Sequence, residues 1–423
     1  MRLVHLTAGT GHFFCGTCLR DHALVKALRR LGHDALLVPM YLPLVLDDSR
    51  RSDGTPLFFG GINVYLQQKL ALFRHTPQWL DKVFDSPGLL RQAGKRAGMT
   101  DPRELGEMTL SMLRGEHGYQ VKELDKLIRW LIEEKPDVVC LSNSLLIGLA
   151  HRIRAELRIP IICSLQGEDT FLDSLPEPYR ERCWQLVQEH SADVDRFVAP
   201  SRYYSTLMQE RLRLEANKSA VIYNGIDLEG FAPAETPPKF PTVGFLARMC
   251  REKGLDTVVE AFSKLASRVP RARLKVGGSQ TDADRSFVNG LKSRLKQAGL
   301  ANAAEFRPNL THTEKQQFLR EMTVLSVPTR SGEAFGLFVI EALAAGVPIV
   351  QPKTGAFPEL IELTGGGVLH TPGDADSLGD ALERLLLDPA HARQLGRRGR
   401  EIVHAHFTSD AMADNFDKLL QQL

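Results

Sequence analysis

Short apolar runs rich in β-branched residues alternate along the chain with longer stretches at the spacing of an amphipathic helix. Arg2–Thr7 reads as a strand, followed by a helix over Leu19–Leu31 that Gly32 stops. Ala35–Met40, Val138–Leu141, Pro160–Leu165 and Arg196–Ala199 read as further strands, with helices between them, Glu123–Glu133 among these. Alternation of this kind builds a parallel sheet covered by helices on both faces. The pattern then restarts. Thr242–Ala247 is a strand, and Leu255, Val258, Val259, Phe262, Leu265 and Val269 mark the buried stripe of the next helix. Leu274–Val276, Glu305–Arg307, Val324–Val327 and Pro348–Gln351 complete a second strand set. The fold class expected is therefore α/β, with two Rossmann-like, doubly wound domains. The crossover is expected within Ser201–Asn217, and the Pro-rich stretch Ala232–Pro241 lies between the two patterns. Thr408–Leu423 reads as a closing amphipathic helix. The boundaries drawn are 1–208 for the first domain, 209–405 for the second and 406–423 for that helix.

One region breaks the rhythm. Leu66–Thr100 carries Lys69, Arg74, Lys82, Arg91, Lys95 and Arg96 against Asp81 and Asp85, interleaved with Leu72, Phe73, Trp79, Leu80 and Phe84. It reads as a basic insertion, extending to about residue 118, that lids an acceptor cleft. The alternative is peripheral contact with an anionic membrane surface.

Length and charge narrow the class. A chain of 423 residues suits two domains of about 200 residues each. A formal net charge of +2 lacks the basic excess of proteins that hold nucleic acid. The N-terminus runs directly into a Gly-rich turn without the apolar core of a secretory signal. No stretch reaches the roughly 18 apolar residues of a membrane span. The chain reads as cytoplasmic. Its six cysteines include one close pair, Cys15 and Cys18, too few for a disulfide framework or a four-ligand zinc site. The pair is expected to pack or to start a helix. No metal site and no cofactor are expected.

The chemistry concentrates in Ser331–Pro348. A strand ends near Pro328, and a turn with Ser331 and Gly332 opens a helix that Gly346 closes. The free backbone N–H groups near Phe335, Gly336 and Leu337, with the helix dipole, form an anion site. Gly336 lets a phosphate approach the backbone. Glu333 precedes the helix and Glu341 lies about two turns in. Two carboxylates so separated can accept hydroxyl hydrogen bonds from opposite ends of a ligand whose middle is a diphosphate. In Gly244–Asp256, Arg248 follows a strand and Lys253 starts a helix. Both can point to the carboxyl ends of the strands, where such sheets bind ligands, and can neutralise a departing diphosphate.

These segments resemble the retaining glycosyltransferases of family 4, with the GT-B fold. The resemblance rests on Glu333 and Glu341 with seven residues between them, on Arg248 and Lys253, on the Asn224-Gly225-Ile226-Asp227 segment, and on Gly355-Ala356-Phe357-Pro358-Glu359. It is strong from Ser201 to Asp380 and architectural before that. It implies that Glu333 holds donor sugar hydroxyls, that Glu341 holds the ribose, and that Arg248 and Lys253 bind the diphosphate. It also implies metal-independent transfer, with retention, from a nucleotide diphosphate sugar to an acceptor hydroxyl across a central cleft. A UDP-sugar is favoured over a GDP-sugar, and the acceptor is a sugar, a lipid-linked glycan or a small molecule. Catalysis is assigned to Arg248, Lys253 and Glu333, and donor binding to Glu333, Ala334, Phe335, Gly336, Leu337, Glu341, Asn224 and Gly244.

The first half is less specific. Gly9, Gly11 and Gly16 lie in the first strand–helix turn, without the spacing of a dinucleotide fingerprint. Gln166 stands where many family members have a histidine, and it can still donate to a sugar hydroxyl. Gly11, Gly16, His117, Gln166 and Glu168 are the acceptor-side candidates. The rival readings are a catalytically silent nucleotide-sugar-binding protein, a GT-B phosphorylase or donor hydrolase, and a nicotinamide-dependent dehydrogenase. Products separate the second from a transferase, and the missing fingerprint argues against the third.

Overall fold

The computed structural model describes residues 1–8, 16–41, 58–59, 64, 67–68, 73 and 102–423. The basic insertion over 66–100 falls almost wholly outside the described residues, as do Gly9, Gly11 and Cys15. Two compact units divide the chain: Met1–Tyr223 with Met412–Leu423, and Asn224–Ala411.

The first unit holds a six-stranded sheet of β1 (Arg2–Thr7), β2 (Asp34–Pro39), β3 (Val138–Leu141), β4 (Ile161–Ser164), β5 (Arg196–Ala199) and β6 (Ser219–Val221). The order is β2-β1-β3-β4-β5-β6, and every neighbouring pair is parallel. All four residues of β3 and of β4 are buried, which is why these runs are continuously apolar rather than alternating. α1 (Gly16–Arg30) and α2 (Val121–Glu134) flank the sheet's strands in sequence. Leu24 and Leu28 of α1 share a core with Leu3, Val138, Ile162 and Val198. Met412, Phe416 and Leu419 of the terminal helix, Ser409–Leu420, join the same core.

The boundary differs from the one drawn at 208/209. Ser219, Ala220 and Val221 pair in register with Phe197, Val198 and Ala199, so the chain stays with the first sheet until Tyr223. β6 has three residues, all half-buried, and an edge strand so short leaves no apolar run to read.

The second unit repeats the plan with β7 (Thr242–Leu246), β8 (Arg273–Gly278), β9 (Ala304–Pro308), β10 (Val324–Leu325), β11 (Ile349–Pro352) and β12 (Gly367–His370). Its parallel order is β12-β11-β10-β7-β8-β9. Counted from β7, that is the doubly wound order, in which the direction of winding reverses between β7 and β10. Ligands bind such sheets at this reversal, beyond the carboxyl ends of the strands. β12 escapes a sequence reading because Gly365, Gly366 and Gly367 look like a turn. α3 (Leu255–Arg268) buries Leu255, Val258, Val259, Phe262 and Leu265, as its spacing predicts.

Gly244 lies in β7, where an added Cβ would sit 1.9 Å from Met322 Sδ, so a larger residue there would have to displace the Met322 side chain. Cys18 is buried and receives the Thr7 hydroxyl at 3.7 Å, a packing environment. No helix among the described residues is long and apolar enough to cross a membrane.

Candidate functional site

Three loops converge at the reversal between β7 and β10. The first runs from the end of β7 to α3 and carries Arg248 and Lys253. Gly254, at φ +74°, caps α3, and a Cβ on it would lie 1.9 Å from the Pro328 carbonyl oxygen. Only glycine lets this turn approach the exit of β10 so closely. The Arg330 N–H donates to the Glu252 carbonyl at 3.0 Å and ties the two loops together. The second loop leads from β10 into α5 (Leu337–Ala344), which lies along the chain between α4 (His312–Arg320) and α6 (Phe357–Thr364). The third leads from β11 into α6. Gly355, at φ +62°, brings its backbone against Glu333, and the Ala356 N–H donates to the Glu333 carbonyl at 2.9 Å.

Gly336 sits at the N-cap of α5 with φ +89°, a conformation that favours glycine. The first N–H groups of α5 therefore face outward beyond Gly336, the arrangement that suits a bound anion. Phe335 is buried and its ring lies 6.2 Å from that of Phe407. Ala334 is buried too, so at Ala334 and Phe335 the backbone rather than the side chain is left for a donor. Asn224 is buried at the first position of the second unit.

The charged groups form three pairs. Lys253 Nζ donates to Glu333 Oε2 at 2.6 Å, with 32% and 19% of the two side chains exposed. Lys253 precedes α3 rather than starting it, because the helix begins at Leu255 after the Gly254 cap. Arg248 forks onto Asp284, Nη2 to Oδ1 at 3.0 Å and Nε to Oδ2 at 3.2 Å. Lys315 Nζ, from α4, donates to Glu341 Oε1 at 2.5 Å. The sequence reading brought Arg248 and Lys253 to one ligand but missed their acids' arrangement, and it missed Asp284 and Lys315 altogether. Both had a signal. Thr281 and Asp284 have the spacing of a capping box, and the Thr281 N–H and hydroxyl do donate to Asp284 at 2.9 and 2.7 Å. Lys315 is a cation on the buried stripe of an amphipathic helix.

Burial raises the Asp284 pKa, but the hydrogen bonds from Arg248 and Thr281 outweigh it and hold the carboxyl below 3.8. A depressed acid stabilises the fold above its unfolded pKa, and that contribution is lost as pH falls through the folded pKa. Asp284→Asn is therefore expected to lower stability at pH 7 by about 1 kcal/mol or less, since Arg248 is half exposed. The gap to the parent protein should narrow as pH drops below 3.8, as read by denaturant titration at several pH values. A gap that widens in acid would contradict this account of the pair.

In the first unit, Gly16 opens α1. His117 ends a short 3-10 turn, with 83% of its side chain exposed and Glu116 at 3.7 Å. Glu168 is not presented to an acceptor. It is buried and accepts from the N–H groups of Ser144 at 2.8 Å and Gln166 at 2.7 Å, and from the Tyr204 hydroxyl at 3.2 Å. Its carboxylate is occupied in tying two strand-end loops together. Burial raises its pKa, and these hydrogen bonds offset only part of that rise. Gln166 stands at the end of this clasp, its backbone fixed by Glu168. Among the described residues no cluster of three or more His, Cys, Asp or Glu could hold a metal ion.

Two sequence-family models span this arrangement. "Glycosyltransferase Family 4" matches residues 22–229, and "Glycosyl transferases group 1" matches residues 229–402 with all three charged pairs inside it. The chain belongs to glycosyltransferase family 4. Proteins similar to it include an exopolysaccharide phosphotransferase of Streptomyces coelicolor, 29% identical over 54% of this chain and 24% of that one. A D-inositol 3-phosphate glycosyltransferase of Segniliparus rotundus is 26% identical over 68% of this chain and 62% of that one. A GDP-mannose-dependent alpha-(1-6)-phosphatidylinositol monomannoside mannosyltransferase of Mycobacterium tuberculosis is 28% identical over 45% and 52%. The chain thus spans between a quarter and about three fifths of the length of these relatives. The GT-B fold of the family is seen in solved structures. Sucrose-phosphate synthase of Thermosynechococcus elongatus superposes with a TM-score of 0.73 at 19% identity, covering 100% of this chain and 99% of that one. HepE of Anabaena, in complex with UDP, superposes with a TM-score of 0.70 at 16% identity, over 100% of both chains.

Proposed function

We propose that this protein transfers a glycosyl group from a nucleoside diphosphate sugar to an acceptor hydroxyl, with retention of anomeric configuration and without a metal. The observation that carries the proposal is the Lys253–Glu333 pair, 2.6 Å apart beside the glycine-capped start of α5. The N–H groups of α5 and the cations Lys253 and Arg248 would hold the diphosphate. Glu333 would accept hydrogen bonds from donor sugar hydroxyls, and Glu341 from the ribose. In the reaction the bond from the anomeric carbon to the diphosphate oxygen breaks with its electron pair leaving to the diphosphate. The acceptor oxygen bonds to the same face, and its proton passes to a diphosphate oxygen. Lys253 and Arg248 stabilise the negative charge as it develops, a role that otherwise falls to a metal ion.

A UDP-sugar donor is favoured by the HepE complexes, which hold UDP and UDP-glucose. The GDP-mannose-dependent relative favours the second reading, a GDP-sugar. The acceptor proposed is a sugar, a lipid-linked glycan or a small polyol, the last in keeping with the inositol phosphate relatives.

Slow donor hydrolysis, with water as acceptor, tests the chemistry before an acceptor is known. UDP-glucose and GDP-mannose are incubated with the protein and EDTA, and the freshly released sugar is read by proton NMR before it mutarotates. An α-linked donor should release the α-anomer first. Release of the β-anomer, or turnover abolished by EDTA, contradicts the proposal.

A further inference from the structure

α4 buries Lys315, Gln316, Phe318 and Leu319. The face that carries Lys315 is therefore packed, and only 7% of the Lys315 side chain is exposed. Burying an ammonium group costs free energy that only a close, well-placed partner offsets. A leucine at this position would complete the stripe without that cost. What the lysine adds is a charge 2.5 Å from Glu341 Oε1. Its surroundings fix it there. Lys315 Nζ lies 5.8 Å from the centre of the Phe231 ring, and that ring meets His312 edge-on at 5.7 Å. Gln316, the next residue, donates to the Glu229 carbonyl at 2.7 Å. α4 is thus anchored to the segment that carries Phe231, and Lys315 cannot drift from Glu341 without disturbing that packing.

Glu341 gains a defined position from this. Its side chain has three rotatable bonds, and a glutamate held at neither oxygen samples several rotamers. Lys315 holds Oε1. Among the described residues Oε2 carries no hydrogen bond, and 15% of the side chain remains exposed. We infer that Lys315 is a positioning residue: it locks Glu341 so that Oε2 is aimed at the ribose hydroxyls of the donor nucleotide. The inference rests on the proposal above that Glu341 holds the ribose.

The test compares UDP and GDP with their 2′,3′-dideoxy counterparts by titration calorimetry. It uses the full chain and the variants Lys315→Met, Lys315→Arg and Glu341→Gln. The parent protein should favour the ribonucleotide by about tenfold, the worth of a hydrogen bond to a charged group. Lys315→Met should weaken the ribonucleotide by about tenfold and the dideoxy form much less, so that the preference falls below about threefold. Lys315→Arg should restore most of the preference. Equal weakening of both ligands by Lys315→Met, which a purely structural lysine would give, overturns the inference. So does an unchanged preference in Lys315→Met while Glu341→Gln erases it, and that result leaves the ribose placement standing. An unchanged preference in Glu341→Gln overturns the ribose placement itself, and the inference with it. If circular dichroism shows that Lys315→Met does not fold, Lys315→Gln takes its place under the same criteria.

Discussion

Lys253→Ala is expected to lower kcat by about 10²- to 10³-fold, the usual cost of removing one preorganised donor from a developing oxyanion. The argument is geometric. Lys253 is held in a turn that Gly254 presses onto the Pro328 carbonyl, and its ammonium meets Glu333 at 2.6 Å. The substitution removes a cation from the proposed diphosphate site. It also leaves the Glu333 carboxylate, four-fifths buried, without its partner and closer in effect to the phosphate charge. Both changes act more strongly in the transition state than in the ground state, because the leaving group gains charge as it departs. Donor KM should therefore change less than kcat. Steady-state kinetics on the donor hydrolysis described above reads both constants. A kcat within tenfold of the parent enzyme would remove Lys253 from the chemistry.

Glu341→Ala is expected to fail in two ways at once. Nucleotide binding should weaken by about tenfold or more, because no other carboxylate lies at that point of α5 to meet the ribose. Stability should also fall by about 3 kcal/mol, because Lys315 is left buried without its acid. From the sequence alone Glu341 is a ligand-binding acid about two turns into its helix, and nothing there marks its removal as a cost to the fold. The structure changes that expectation, since Glu341 and Lys315 are both largely buried and in contact. Urea unfolding and calorimetry separate the two effects. A variant of unchanged stability would show that Lys315 finds another partner.

The strands were legible where they are buried on both faces. β1, β3, β4, β5, β7 and β11 are nearly continuous apolar runs, and the sequence marks them within a residue or two. β6 and β12 were not legible, being short or preceded by glycines. The glycine-capped start of α5 was legible because Gly336 and the acids around it carry a recognisable spacing. The partners of the charged residues were not. Arg248 meets an acid 36 positions away, and Lys315 meets one 26 positions away. A one-dimensional pattern says that a side chain lies on a buried or exposed face, not which residue of another element faces it. Nor does the sequence show that Glu168 is buried, accepting from two strand-end N–H groups and from the Tyr204 hydroxyl of the helix Arg202–Leu212.

The central claim is a nucleoside diphosphate sugar site at the reversal of the second sheet. Thermal unfolding of the parent protein and of Lys253→Ala, against UDP, GDP and their sugars with NAD as a control, tests it most directly. A ligand at 100 times its Kd adds about 2.7 kcal/mol of stability, a plainly visible shift in Tm. The account predicts stabilisation of the parent protein by one nucleoside diphosphate and its sugar, weakened in Lys253→Ala. Stabilisation by NAD alone, or by none of these ligands, would contradict it.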